Sequence, residues 1–285
     1  MVRLLVVLLA VATFNASAQM DVKEMVSQSI RNYQRDWQNN GDWTSIETDV
    51  ITADGTKEVE VSQVIPLGGT PYDRLIQKNG QPLTPSEQRK EDRKYEHAVR
   101  QRREETPSER EERVHKYEEQ RAFVNDIPNA YNFTLLGEEN VDGRPAWILG
   151  MTPRPGFVPT APHGSMLAHI EGKLWIDRGE LRWAKAEAHV IDTIGIGWIL
   201  ARIAPGTHFT LEQTRVEPDL WMPRRITIAG AAHVMIFHSK SLNEELTWSG
   251  YKKDGRFPIE KHEAAKSPAS GVSKSRRVAG LVRHN

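Results

Sequence analysis

From Tyr131 to His238 the chain is a series of short segments in which aromatic and β-branched residues alternate with polar ones. Each run stops at a turn-forming pair: Asp142-Gly143, Arg178-Gly179, Pro205-Gly206 or Glu217-Pro218. A period of two punctuated in this way specifies antiparallel strands joined by tight turns. It excludes a helical bundle for this half of the chain. A sheet of this kind carries an apolar face that something must cover, and the nature of the cover bears directly on function.

The first residues, MVRLLVVLLAVATFNASAQ, read as a secretory signal peptide over residues 1–18. Arg3 supplies the positive end, Leu4 to Phe14 an apolar core too short to span a bilayer, and Ala16-Ser17-Ala18 a small-residue cleavage site. The mature chain is expected to begin at Gln19 and to sit in the periplasm of a bacterial envelope, soluble because no later segment is apolar for long enough to cross a membrane. The sequence contains no cysteine, which rules out a disulfide, a thiolate metal site and a lipid attached at the cleavage point. Formal charge balances at zero, but the segment Lys261–Asn285 holds six Lys/Arg against one Glu. Without it and Arg3 the body has 31 basic and 37 acidic residues, an excess of acid that argues against a nucleic-acid partner. The basic segment 261–285, rich in Ser, Ala and Gly, reads as a disordered tail with the charge for peripheral contact with anionic lipid headgroups.

Residues Asp21 to Trp37 predict an amphipathic helix with Asp21 at its N-cap and Val22, Met25, Val26, Ile30, Tyr33 and Trp37 on one face. Asn39-Asn40-Gly41 ends it. Beyond it the period returns to two, with hairpins about Asp54-Gly55 and Asn79-Gly80 and a loop at PLGGTP, residues 66–71. Between Thr84 and Arg121, 22 of 38 residues are charged, evenly split by sign. The opening Thr-Pro-Ser-Glu occurs twice, at Thr84 and Thr106, each a capping box with proline at the first helical position. Residues 84–124 therefore predict a hairpin of two helices broken at Pro107. Their apolar stripes are thin: Tyr95 and Val99, then Val114, Tyr117 and Val124. Weak apolar faces make detachment inexpensive, which suits a lid or a docking arm as well as a solvated cover on the sheet's rim.

No catalytic constellation stands out. The ten histidines are scattered, with His233 and His238 pointing to opposite faces of a strand; there is no His-Glu-x-x-His and no Gly-x-Ser-x-Gly. Gly195-Ile196-Gly197 lacks the third glycine of a dinucleotide loop, and Asp177 reads as a turn residue. Glu180, Glu187 and Glu212 are expected on strands, where the fold could bring two acids together, but no spacing requires it. No enzyme, metal or cofactor is expected. The strands do carry bulky apolar surface. Trp147 and Leu149 share a face, as do Leu181 and Trp183, and Trp198 and Leu200; Ala184, Ala186 and Ala188 are expected opposite Trp183. Trp147, Leu149, Trp183, Trp198, Phe209, Trp221 and Ile226 are the candidate ligand-binding wall of a half-open barrel.

The order of signal peptide, amphipathic helix, meander, GRPAWILGMTPRP, GKLWID and LEQTRVEPDLWMPRRITI resembles the outer-membrane lipoprotein-sorting proteins. That group is built like the periplasmic lipoprotein carrier and the related sigma-factor regulator that senses lipoproteins. The resemblance covers about residues 21–253 and is strongest from Gly143 to Ile228. It implies a mainly β, α+β fold in residues 19–260: a strongly curved antiparallel sheet whose concave face is covered by helices. It further implies binding of lipid or lipoprotein acyl chains without cofactor or chemistry. The chain departs from the carrier in the length and polarity of its charged helices, and no site residue is carried over. A second reading makes those helices the recognition element of an envelope interaction or sensor protein with a protein partner.

Overall fold

The computed structural model describes residues 21–196, 201–234 and 239–254. Segments 1–18 and 261–285, with Trp198 and His238, lie outside the described residues.

The chain opens with α1 (Val22–Asn39). Asp21 occupies the N-cap position, but its side chain makes no capping bond. Strands β1 (Trp43–Ala53), β2 (Thr56–Leu67), β3 (Thr70–Lys78) and β4 (Gln81–Pro82) then form a meander. Its turns are Asp54-Gly55 and Asn79-Gly80, as the sequence predicts. PLGGTP is not a loop, however. Pro66 pairs with Pro71 and Leu67 with Thr70, so the strands run to a two-residue Gly68-Gly69 turn. Both glycines have positive φ, +60° and +93°, which supplies the reversal within two residues.

The charged segment folds as α2 (Pro85–Glu104) and α3 (Pro107–Glu119). Both capping boxes are complete, with Glu87 and Glu109 returning bonds to the N-cap backbone. A short α4 (Ile127–Ala130) leads into β5 (Tyr131–Val141), β6 (Arg144–Pro153), β7 (Ile170–Asp177) and β8 (Trp183–Val190). Then follow β9 (Ile194–Ile196), β10 (Ala201–Ile203), β11 (His208–Glu217), β12 (Leu220–Val234) and β13 (Ser239–Lys253).

All strands join one antiparallel sheet in the order β4-β3-β2-β1-β13-β12-β11-β8-β7-β6-β5, with β10 and β9 attached beyond the far end of β12. The two end strands do not pair, so the barrel is open. Register shifts at Thr44/Ile46, Val61/Ser62, Leu135/Gly137, Trp175/Ile176 and Glu212/Gln213 bend the sheet. Among the described residues no helix is long and apolar enough to cross a membrane.

The largest core lies on the concave face. Met25, Val26 and Ile30 of α1 pack on Leu149, Leu174, Ile176 and Trp183, with Val124, Ile127 and Tyr131 beside them. The opposite face has its own smaller cluster of Ala146, Trp175, Ala184 and Trp221. The bulge between Trp175 and Ile176 divides the alanines expected on one face. Ala186 and Ala188 pair with Leu174 and Gly172, on the same side as Trp183, while Ala184 joins Trp175 and Trp221 behind the sheet. Glu180 and Leu181 lie in the β7–β8 turn rather than on a strand, although Leu181 still touches the concave core.

Candidate functional site

α1 is fixed to the sheet by more than its apolar face. Ser29, Asn32 and Asp36, one helical stripe, are all buried. The Trp183 indole N–H donates to Ser29 Oγ at 2.9 Å, and Asn32 Nδ2 donates to the carbonyls of Glu180 and Leu181. Arg182 donates from Nε to Asp36 Oδ2 at 2.6 Å and from Nη2 to Oδ1 at 3.1 Å, with side-chain exposures of 2% and 3%. Its remaining donors reach the carbonyls of Glu180 and Asp219. Burial pushes the Asp36 carboxyl up, with Arg182 pulling against it. A second network lies below: Asp177 accepts both arms of Arg144 and the backbone N–H groups of Gly179 and Glu180. Glu180 accepts from Arg144, Arg215 and the Trp221 indole. Each of these acids is tied to a structural partner.

The helical hairpin is held differently. It clasps the Gly68-Gly69 turn from outside. Arg113 donates to Gly68 O and Thr70 Oγ1 and pairs with Glu105. Tyr95 packs on Tyr72, their ring centroids 5.6 Å apart, and Arg74 bonds Asp92 while lying over the Tyr95 ring. The Arg113 guanidinium holds Glu105 below the usual carboxylate range.

Between the C-terminal half of α1 and the end of α3 lies a cleft of about 430 Å³. Tyr33, Trp37, Arg121, Ala122, Val124 and Pro162 line it, with Gln34, Gln38, His115, Glu118, Glu119 and Asn125 around its polar margin. The Arg121 guanidinium carbon lies 3.1 Å from the Trp37 ring centroid and 4.3 Å from that of Tyr117. Tyr33 stacks on Trp183, centroids 4.9 Å apart and planes at 22°, which makes the floor of the cleft continuous with the concave core. Burial pushes the Tyr33 and Tyr117 hydroxyls up and Arg121 down.

The described residues of the expected wall fall in four places. Leu149 and Trp183 are buried on the concave face under α1, with half-buried Trp147 beside them. Phe209 is half-buried at another end, against Ile170, Val190 and Ile194, and Ile226 pairs with Leu211 in the half-exposed stretch between. Trp221 is on the other face, because it emerges from the tight Pro218-Asp219 turn paired with Arg215 and packs on Trp175. Sequence reasoning found Tyr33 and Trp37 as helix-face residues but missed Arg121 and the polar stripe of α1. The stripe has a signal, Ser29, Asn32 and Asp36 at i, i+3 and i+7; Arg121 has none, being one arginine among many. Among the described residues no three His, Asp or Glu side chains gather as a metal site requires.

With this geometry in place, the chain can be set beside solved structures. A LolA superfamily protein of Nitrosomonas europaea is 13% identical, over 84% of this chain and 96% of that one, with a TM-score of 0.33. An outer membrane lipoprotein-sorting protein domain from Vibrio parahaemolyticus is 10% identical, over 82% and 95%, at 0.34. A DUF1329 family protein from Desulfovibrio piger is 13% identical, over 83% and 95%, at 0.33. No family model matches the sequence, and no curated protein matches it. The open sheet and its helix-covered concave face are defined by the strand order and register above.

Proposed function

We propose that this chain is a non-catalytic binding protein of the bacterial envelope, acting in the periplasm, that holds the acyl chain of a lipid or lipoprotein on the concave side of its sheet. The observation that carries this reading is the cleft between α1 and the hairpin. One wall, α1, is fastened by an apolar core and a buried ion pair; the other is fastened by half-buried arginines and ring contacts. An apolar floor beneath a cover of that kind suits reversible capture of a greasy chain. Enclosing about 300 Å² of acyl surface would contribute roughly 7 kcal/mol before ordering costs, enough for useful affinity without any reaction. In this reading Tyr33, Trp37 and Val124 touch the ligand, and Leu149 and Trp183 support them from behind. Native mass spectrometry of protein purified from cells, followed by lipid extraction, is expected to show a bound lipid, and a fluorescent fatty acid should bind and be displaced. Protein that carries no lipid and binds no probe would end the proposal.

A second reading rests on a different observation. On α2 the acids Glu91 and Asp92 turn toward Lys94 and Arg74, while Arg89, Arg93, Arg100 and Arg103 remain exposed at helical spacing, with the exposed Glu96 among them. The neutral hairpin thus presents a stripe with an excess of basic charge outward. An acidic segment of an envelope protein fits that stripe. Cross-linking in cells should capture such a partner in a salt-sensitive manner and lose it in an Arg93→Glu/Arg100→Glu variant; capture that survives both would remove this reading.

A further inference from the structure

Arg121 has a cation's environment without an ion-pair partner among the described residues. Its guanidinium carbon sits in the corner formed by the tilted Trp37 and Tyr117 rings, 3.1 and 4.3 Å from centroids that are 5.6 Å apart. Ring faces attract a cation there but accept none of its N–H donors in the way an anion does. Those donors are barely used: the one hydrogen bond among the described residues runs from Nη2 to Tyr117 O, at a long 3.4 Å. Glu118 acts on the charge electrostatically, but no carboxylate among the described residues reaches it at ion-pair distance. The buried Arg182 and half-buried Arg113 are treated otherwise, paired with Asp36 and Glu105. A partly desolvated charge is normally paired, because the cost of removing it from water must be offset. Arg121 also lines the cleft whose floor is Tyr33, Trp37 and Val124.

We propose that Arg121 receives the negatively charged head of the bound amphiphile, a carboxylate or phosphate next to an acyl chain that lies along Tyr33, Trp37 and Val124. This rests on the acyl-binding reading and specifies its ligand class. The two rings hold the guanidinium in their corner, where its fork of N–H donors can meet two anionic oxygens together. Glu118 and Glu119 at the mouth repel further negative charge, which favours a head with a single small charge over a polyanion.

The test is competitive displacement of a fluorescent fatty acid from the full chain by four compounds: dodecanoate, dodecyl phosphate, dodecanol and inorganic phosphate. Dodecanoate or dodecyl phosphate, whichever the site prefers, should compete roughly 10- to 100-fold better than dodecanol, and inorganic phosphate alone should compete weakly or not at all. The first two arms separate a fatty acid from a phospholipid-like head, and the last separates a lipid head from a free anion. Arg121→Gln should erase the advantage of the charged compounds while leaving dodecanol binding in place. Arg121→Lys, which keeps the charge but not the flat fork, should recover part of it. Arg178→Gln, a cation over Trp147 outside the cleft, should change nothing. Equal competition by dodecanol and dodecanoate, or an advantage that survives Arg121→Gln, overturns the head-group assignment and leaves acyl binding standing. Displacement by phosphate alone at the strength of dodecyl phosphate overturns it in favour of a free-anion site. Failure of every compound to bind brings down the acyl reading as well.

Discussion

The two helical elements that cover the sheet are built on opposite plans. α1 presents one apolar stripe and one buried polar stripe, and both are consumed by the sheet: Met25, Val26 and Ile30 by the core, Ser29, Asn32 and Asp36 by Trp183, the β7–β8 turn and Arg182. α2 and α3 bury almost no side chain, Glu91 being the one buried residue between them. Their grip is on main-chain oxygen at Gly68, on the Tyr72 ring and on the Trp37 edge of α1. Contacts of the first kind melt only with the whole molecule. Contacts of the second kind are fewer and individually small, the class from which local opening is drawn. The same chain thus carries one wall fastened through its core and one fastened by a few side chains, with the cleft between them.

The contrast can be broken most forcefully at Asp36. Asp36→Ala leaves Arg182 charged and enclosed without its partner, and should lower global stability by about 3–5 kcal/mol in chemical denaturation, with one cooperative transition. A loss confined to local opening of α1 would mean the helix is not part of the main cooperative unit. Arg113→Ala is the counterpart on the hairpin. It removes bonds to Gly68, Thr70 and Glu105, and about 1.5–3 kcal/mol should be lost from hairpin opening alone. Hydrogen exchange would show α2 and α3 amides speeding up while those of β6 and β7 stay protected.

Acid should loosen the hairpin through Glu105. Glu105 has a folded pKa below its unfolded one, so its contribution is present above the ordinary glutamate value of about 4.3 and is lost as pH falls through the depressed value. Exchange in residues 85–119 measured from pH 6 downward should therefore rise below about pH 4.3, while a Glu105→Gln variant should already exchange faster at pH 6. The smallest effect is expected for Arg93→Glu/Arg100→Glu. These side chains are exposed on α2, and stability should move by less than about 0.5 kcal/mol however strongly any partner binding responds.

Much of this architecture is legible before any coordinates. Alternation with Asp-Gly and Asn-Gly turns sets most strand boundaries, and the repeated Thr-Pro-Ser-Glu marks both helix starts to the residue. What escapes is set by bulges and distant partners. Ala186 and Ala188 change face because one extra residue enters β8 opposite Trp175, and nothing local announces that. Trp221 ends behind the sheet for a similar reason of register, while Trp183, two strands away, ends in front. The cleft itself is assembled from Tyr33 and Arg121, some ninety positions apart in the chain, each unremarkable alone. Patterns report what a segment wants from its neighbours, and say little about which neighbour arrives.

Strand β13 has a consequence for how such a chain comes into being. It lies between β12, its hairpin neighbour, and β1, the first strand made, with ten residue pairs along that seam. Until it emerges, the β1–β4 meander and the β5–β12 array are separate sheets, each with an additional raw edge. The joining step spans nearly the full described chain and closes a very long loop, so it should be late and slow. In such an order of assembly the final strand locks the two halves together, and the sheet is complete only once nearly the whole described chain is in hand.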